Sequence, residues 1–228
     1  MKTPGHQARW SACAVVASLL AGCGGVSGQE PLAACVGEST PFADRVVSFT
    51  PGAYAGFGQE GYPGIVLGPP RGGGAGQGSL DVLSLGREGE IVLEFTDIGV
   101  RDGPGVDLLV FENPFGSFVE TGLVAVSEDG QTWHEFPCAP WDRAGGYPGC
   151  AGLRPVFSSP DNGISPTDPS VAGGDGFDLA TLGVDPDRFV ARFVRIRDSG
   201  ANFYGSISGG FDLDALAVVN GRPLCEPR

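Results

Sequence analysis

Acidic residues carry the first chemistry in this sequence. They gather in short runs: Asp102, Asp107, Glu112 and Asn113; Asp175 and Asp178; Asp198; Asp212 and Asp214. Calcium takes roughly six to eight oxygens from carboxylates, amides and carbonyls, and loops rich in Asp and Gly supply them. Asp102, Asp107, Asp175, Asp178, Asp212 and Asp214 are therefore the expected calcium ligands. By the period of two, Asp212 and Asp214 share one face of a strand. The same residues also build turns in acidic proteins, so a purely structural role stands beside the metal one.

Catalysis asks for a nucleophile with a base, or two carboxylates across a cleft. Past the first segment His134 is the only histidine, set between Trp133 and Glu135 in a run that reads as a strand, and no GxSxG elbow accompanies it. Glu112 and Glu120 offer a carboxylate pair, but sequence does not fix their separation. Lys2 is the only lysine, which leaves no P-loop or Schiff-base lysine in the body of the chain. Gly56, Gly58 and Gly61 spell GxGxxG, yet Tyr62, Pro63 and Gly64 follow at once, so no helix N-terminus is there to receive a pyrophosphate. Gly173 to Ala180 fits one copy of a calcium nonapeptide that works only as a stack of repeats. Binding without catalysis is the expectation. Its contacts are expected at Trp141, Arg143 and Tyr147, between Cys138 and Cys150, where two flat rings flank a planar donor on a Gly/Pro-rich loop.

The elements that position these residues are β-strands. Among 228 residues, 39 are Gly and 19 are Pro, which rules against a helical bundle, while 41% hydrophobic content is too much for a disordered chain. Short β-branched or aromatic runs recur between Gly, Pro and Asp: Val46 to Thr50, Gly64 to Gly68, Asp81 to Leu85, Glu90 to Asp97, Val106 to Asn113, Leu123 to Ser127, Thr132 to Phe136, Phe189 to Arg197 and Phe211 to Val219. Their number and spacing predict one all-β sandwich over residues 35–228. Several runs are apolar on both faces, as expected of strands in the middle of the packing. Glu128, Asp129 and Gly130 mark a tight hairpin, after which Trp133 is expected to enter the core. A net charge of −13 repels phosphate backbones, which excludes nucleic acid as a partner.

Lys2 and Arg9 precede an apolar run from Trp10 to Leu20, too short to span a bilayer and of the length of a secretory signal. The run ends in Leu20, Ala21, Gly22 and Cys23, which resembles the lipobox of bacterial lipoproteins. That resemblance implies removal of residues 1–22, acylation of Cys23, a tether over 23–34 and a place in the bacterial cell envelope, anchored in the membrane by its acyl chains. Export favours disulfides, and Cys35, Cys138, Cys150 and Cys225 remain for them. Four cysteines allow three pairings. Cys35 and Cys225 sit at the two ends of the domain and Cys138 and Cys150 bracket one loop, so these are the expected pairs. No CxxC occurs, which argues against zinc.

Val124 to Phe136 reads VAVSEDGQTWHEF, Ala191 to Ile196 reads ARFVRI, and Gly210 to Val219 reads GFDLDALAVV. This trio resembles the hairpin and strand motifs of discoidin-like, galactose-binding-like jelly rolls. With DGPGVDLLVFENPF and GDGFDLA, the chain is similar over most of residues 45–221 to uncharacterised bacterial surface lipoproteins of that kind. The resemblance implies a jelly roll, raises the expectation of a structural calcium, and leaves the ligand open among sugars, lipids and proteins. The expected function is a lipid-anchored surface binding module with carbohydrate as the favoured ligand. An adhesive protein that binds another surface protein is the alternative, and a carbohydrate-active hydrolase the third reading.

Overall fold

The computed structural model describes Met1 and residues 32–36, 38–112, 114, 118–201 and 209–226. Leu32–Arg228 make one compact unit, and Met1–Pro31 fall in another. The apolar leader and Cys23 lie outside the described residues. No helix among the described residues is long and apolar enough to cross a membrane.

Thirteen short strands are described: β1 (Arg45–Thr50), β2 (Leu83–Ser84), β3 (Glu90–Glu94), β4 (Ile98–Arg101), β5 (Leu108–Phe111), β6 (Gly122–Ser127), β7 (His134–Glu135), β8 (Asp175–Phe177), β9 (Val190–Ala191), β10 (Phe193–Asp198), β11 (Asp212–Leu213), β12 (Ala215–Val218) and β13 (Gly221–Pro223). All pair antiparallel, in the orders β1-β3-β10-β6-β7, β12-β5-β8, β13-β4-β9 and β11-β2. Among the described residues, helix is limited to three 3-10 turns, Gln59–Gly61, Gly64–Val66 and Leu179–Leu182. The architecture is that of an all-β protein.

Alternation along the central strands sorts the core into two layers. On β5, Leu108 and Val110 enter the main cluster while Leu109 and Phe111 enter a smaller one. On β12, Leu216 and Val218 go one way and Ala215 and Ala217 the other. Each large aliphatic or Phe side chain sealed in this way stabilises the fold by about 1.5–3 kcal/mol. The smaller cluster is closed by Val156 and Ala172 from the irregular stretch between Cys138 and Gly176, so that stretch covers a sheet face. It is tied down by bridges from Gly122 to Ala151 and from Val156 to Gly173.

Several expected runs change form. Gly64 to Gly68 makes a 3-10 turn, because Pro63, Pro69 and Pro70 on its flanks lack the N–H a ladder needs. The run from Glu90 ends at Glu94, and the Asp44 carboxylate takes the Thr96 N–H at 2.6 Å. Phe136, 4% exposed, enters the core at the hairpin where Trp133 was expected. Trp133 is half-buried on the sheet face beneath the Arg195 guanidinium, 4.6 Å from the ring centroid. The hairpin turn itself is as expected, with Gly130 at φ 72° and the Asp129 carboxylate accepting the Gln131 and Thr132 N–H groups.

Disulfides join Cys35 to Cys225 and Cys138 to Cys150, the expected pairs. In the chain-entropy model the short loop is worth about 3 kcal/mol and the long one about 5. Backbone hydrogen bonds from Cys35 to Glu226 and from Glu226 to Ala33 reinforce the longer closure, so the folded unit already includes Leu32–Ala34 of the expected tether.

Candidate functional site

The Cys138–Cys150 loop roofs a cavity of about 990 Å³. Phe136 and Phe177 form one wall, their ring centroids 4.9 Å apart, with Pro137 and Leu153 beside them. Polar groups from three segments converge on this surface: Arg154, Asp175 on β8, and Asp178 and Thr181 at the following 3-10 turn. Asp178 caps that turn through the Ala180 N–H at 2.9 Å. Asp175 accepts the Gly152 and Leu153 N–H groups at 2.8 and 2.9 Å, and burial pushes its carboxyl up to about 6. A concave apolar surface with a few convergent polar groups is the usual form of a small-molecule site.

The three residues expected to touch ligand lie on the same loop but do not line this cavity. Trp141 is 66% exposed, Arg143 is exposed and Tyr147 half-buried. They ride on a backbone knot in which Asp142 accepts the Gly145 and Tyr147 N–H groups. The cavity instead takes the base of the loop, Pro137 to Ala139 and Pro148 to Cys150. Leu153 and Arg154 carried no signal in sequence, since only the fold brings them beneath the disulfide.

The six aspartates expected to share calcium stand in different places. Asp102, Asp107 and Asp178 bring one oxygen each within 4.8 Å of the others, the only such acidic trio among the described residues. Asp107 is already engaged there, accepting the Gly103 N–H and the Asn220 Nδ2 at 2.9 Å and the Leu179 N–H at 2.8 Å. Asp175 belongs to the cavity. Asp212 and Asp214 part company, because β11 pairs with β2 whereas β12 pairs with β5. Asp214 accepts the Arg71 N–H, and burial pushes its carboxyl up to about 7. Of the other groups considered for catalysis, Glu112 and Glu120 are each 3% exposed, and His134 packs edge-on against Phe189 at 5.2 Å.

No protein-family model matches the chain, and no curated protein matches it. The geometry of the cavity therefore carries the functional argument.

Proposed function

We propose that the protein is a binding module of the bacterial cell envelope, anchored through an acylated Cys23, with a discoidin-like jelly-roll domain and carbohydrate as its ligand class. The supporting observation is the cavity of about 990 Å³ under the Cys138–Cys150 loop. Its Phe and Pro surfaces suit the C–H faces of a sugar ring, and Arg154, Asp178 and Thr181 suit its hydroxyls. The disulfide holds the roof in place before binding and lowers the entropy lost on complex formation. Binding without catalysis fits a site whose carboxylates accept backbone N–H groups. Calcium is the proposed stabilising ion, on the strength of the acidic loops.

The test is a glycan array probed with the full chain in detergent, followed by titration of any hit against Arg154→Ala and Trp141→Ala. Arg154→Ala is expected to weaken binding about tenfold and Trp141→Ala to leave it unchanged. The reverse pattern would move the ligand to the loop tip. A silent array with folded protein would remove carbohydrate as the ligand class.

A further inference from the structure

Three successive backbone amides lead into β11, and each goes to a different carboxylate. Gly210 donates to Glu120 Oε1 at 3.1 Å, Phe211 to Asp198 Oδ2 at 2.8 Å and Asp212 to Glu112 Oε1 at 3.4 Å. Gly210 sits at φ 70°, and a Cβ there would stand 2.8 Å from Asp198 Oδ2, so the close approach of chain to acid needs glycine. Asp198 is fully employed as a tie, since its other oxygen accepts the Glu88 and Gly200 N–H groups at 2.8 and 2.9 Å. Glu112 is not. Its residue is 3% exposed, and its Oε2 has no hydrogen-bond partner among the described residues. Asp212 Oδ1 is equally sealed and equally without one.

Burying a carboxylate oxygen with nothing to bond costs several kcal/mol unless a charge or proton answers it. No arginine among the described residues pairs with Glu112 or Asp212, and the sole lysine is Lys2. A proton shared between two carboxyls is the other remedy. Asp97 Oδ1 is sealed in the same way, with the Asp44 carboxyl close enough to act on it. The Glu112 and Asp212 carboxyls repel each other, and Glu120 and Asp175 add to the same repulsion.

We propose that Glu112, Glu120 and Asp212 hold a divalent cation, calcium, at the head of β11, with Asp198 as the tie that fixes the chain beside it. The proposal gives the calcium part of the functional reading its residues, and it does not depend on the sugar cavity. Oxygen-only donors, all hard, favour calcium over zinc or copper. Bound between them, the ion bonds both orphaned oxygens and cancels the like-charge repulsion among the three acids.

The experiment is thermal unfolding and calcium calorimetry of the full chain in detergent after chelation, near neutral pH. Calcium is expected to raise the midpoint by several degrees with one ion bound. Glu112→Gln is expected to weaken calcium binding at least about tenfold. In chelator the same variant should unfold at or above the wild-type temperature, because it removes one of the repelling charges. That second reading separates a lost ion from a damaged fold, and Asp212→Asn provides the same pair of readings. Asp102→Asn is expected to leave the calcium response unchanged. If calcium binds but only Asp102→Asn abolishes it, the ion belongs to the Asp102 trio and the present assignment falls while calcium survives. If calcium changes nothing, both fall, and carbohydrate binding remains to be judged on its own assay.

Discussion

Asp107 and Glu112 flank the same strand, β5, at its two ends, and both are almost sealed from solvent, at 0% and 3% exposure. Their surroundings are opposite. Asp107 accepts two backbone N–H groups and the Asn220 amide, using both oxygens. Glu112 accepts one long backbone contact and keeps an oxygen that nothing bonds among the described residues. Burial raises both carboxyls, Glu112 well above its usual range, with Asp212 and Glu120 adding to the rise. Residue type and burial therefore do not separate a structural tie from an ion ligand. What separates them is whether the donors come from the protein.

The largest effect expected from this difference is at Asp107. Asp107→Ala leaves the Gly103 and Leu179 N–H groups and the Asn220 amide without their acceptor in a sealed site, at a cost of about 3–5 kcal/mol. Urea unfolding in chelator and in calcium should return the same loss. A loss confined to calcium would make Asp107 a ligand and erase the contrast with Glu112.

Sequence made parts of this legible and hid the rest for a physical reason. The Glu128–Gly130 hairpin, the alternation of β5 and the cysteine pairs are encoded within a few residues or by position along the chain. The role of Asp107 is not, because its partners Leu179 and Asn220 stand 72 and 113 residues away. The Asp102, Asp107 and Asp178 trio was anticipated as acids, but not its occupation by N–H donors. Glu112 and Glu120 drew notice as a possible catalytic pair, and only their burial against the β11 amides recasts them. β8 escaped detection because three residues, Asp175–Phe177, carry too little alternation. It is recruited by pairing with β5.

A smaller and more graded effect is expected with pH. Asp175 and Asp212 are pushed up to about 6 and Asp214 to about 7, in each case chiefly by burial. In the unfolded chain these acids ionise near their ordinary value of about 3.9. Between roughly pH 4 and pH 7 the native state therefore holds more protons, and stability falls as pH rises through that window. Midpoints measured in chelator should decline from mildly acidic to neutral pH. Calcium should flatten the share due to Glu112 and Asp212 and leave the share due to Asp175 and Asp214. A chelator profile that rises through the same window would contradict the burial of these acids as free carboxyls.

Asp129 carries the device of Asp107 to the surface and should show the smallest effect. Its Oδ1 accepts the Gln131 and Thr132 N–H groups at 2.8 and 2.7 Å, and those bonds hold its carboxyl down at about 2. Both amides are within reach of water, so in Asp129→Ala water replaces the carboxylate, whereas nothing replaces it around Asp107. The loss should be well below that of Asp107→Ala. Its pH dependence should also have the opposite sign to that of the buried acids. A carboxyl lowered in the folded state stabilises above its unfolded value, about 3.9, and that contribution disappears as pH falls toward about 2. Wild type and Asp129→Ala should thus differ in unfolding midpoint near neutral pH and converge in acid. Midpoints that stay apart at low pH would mean the loss comes from the turn backbone, through Gly130 and the Ser127 hydroxyl that also accepts there, and not from the charge on Asp129.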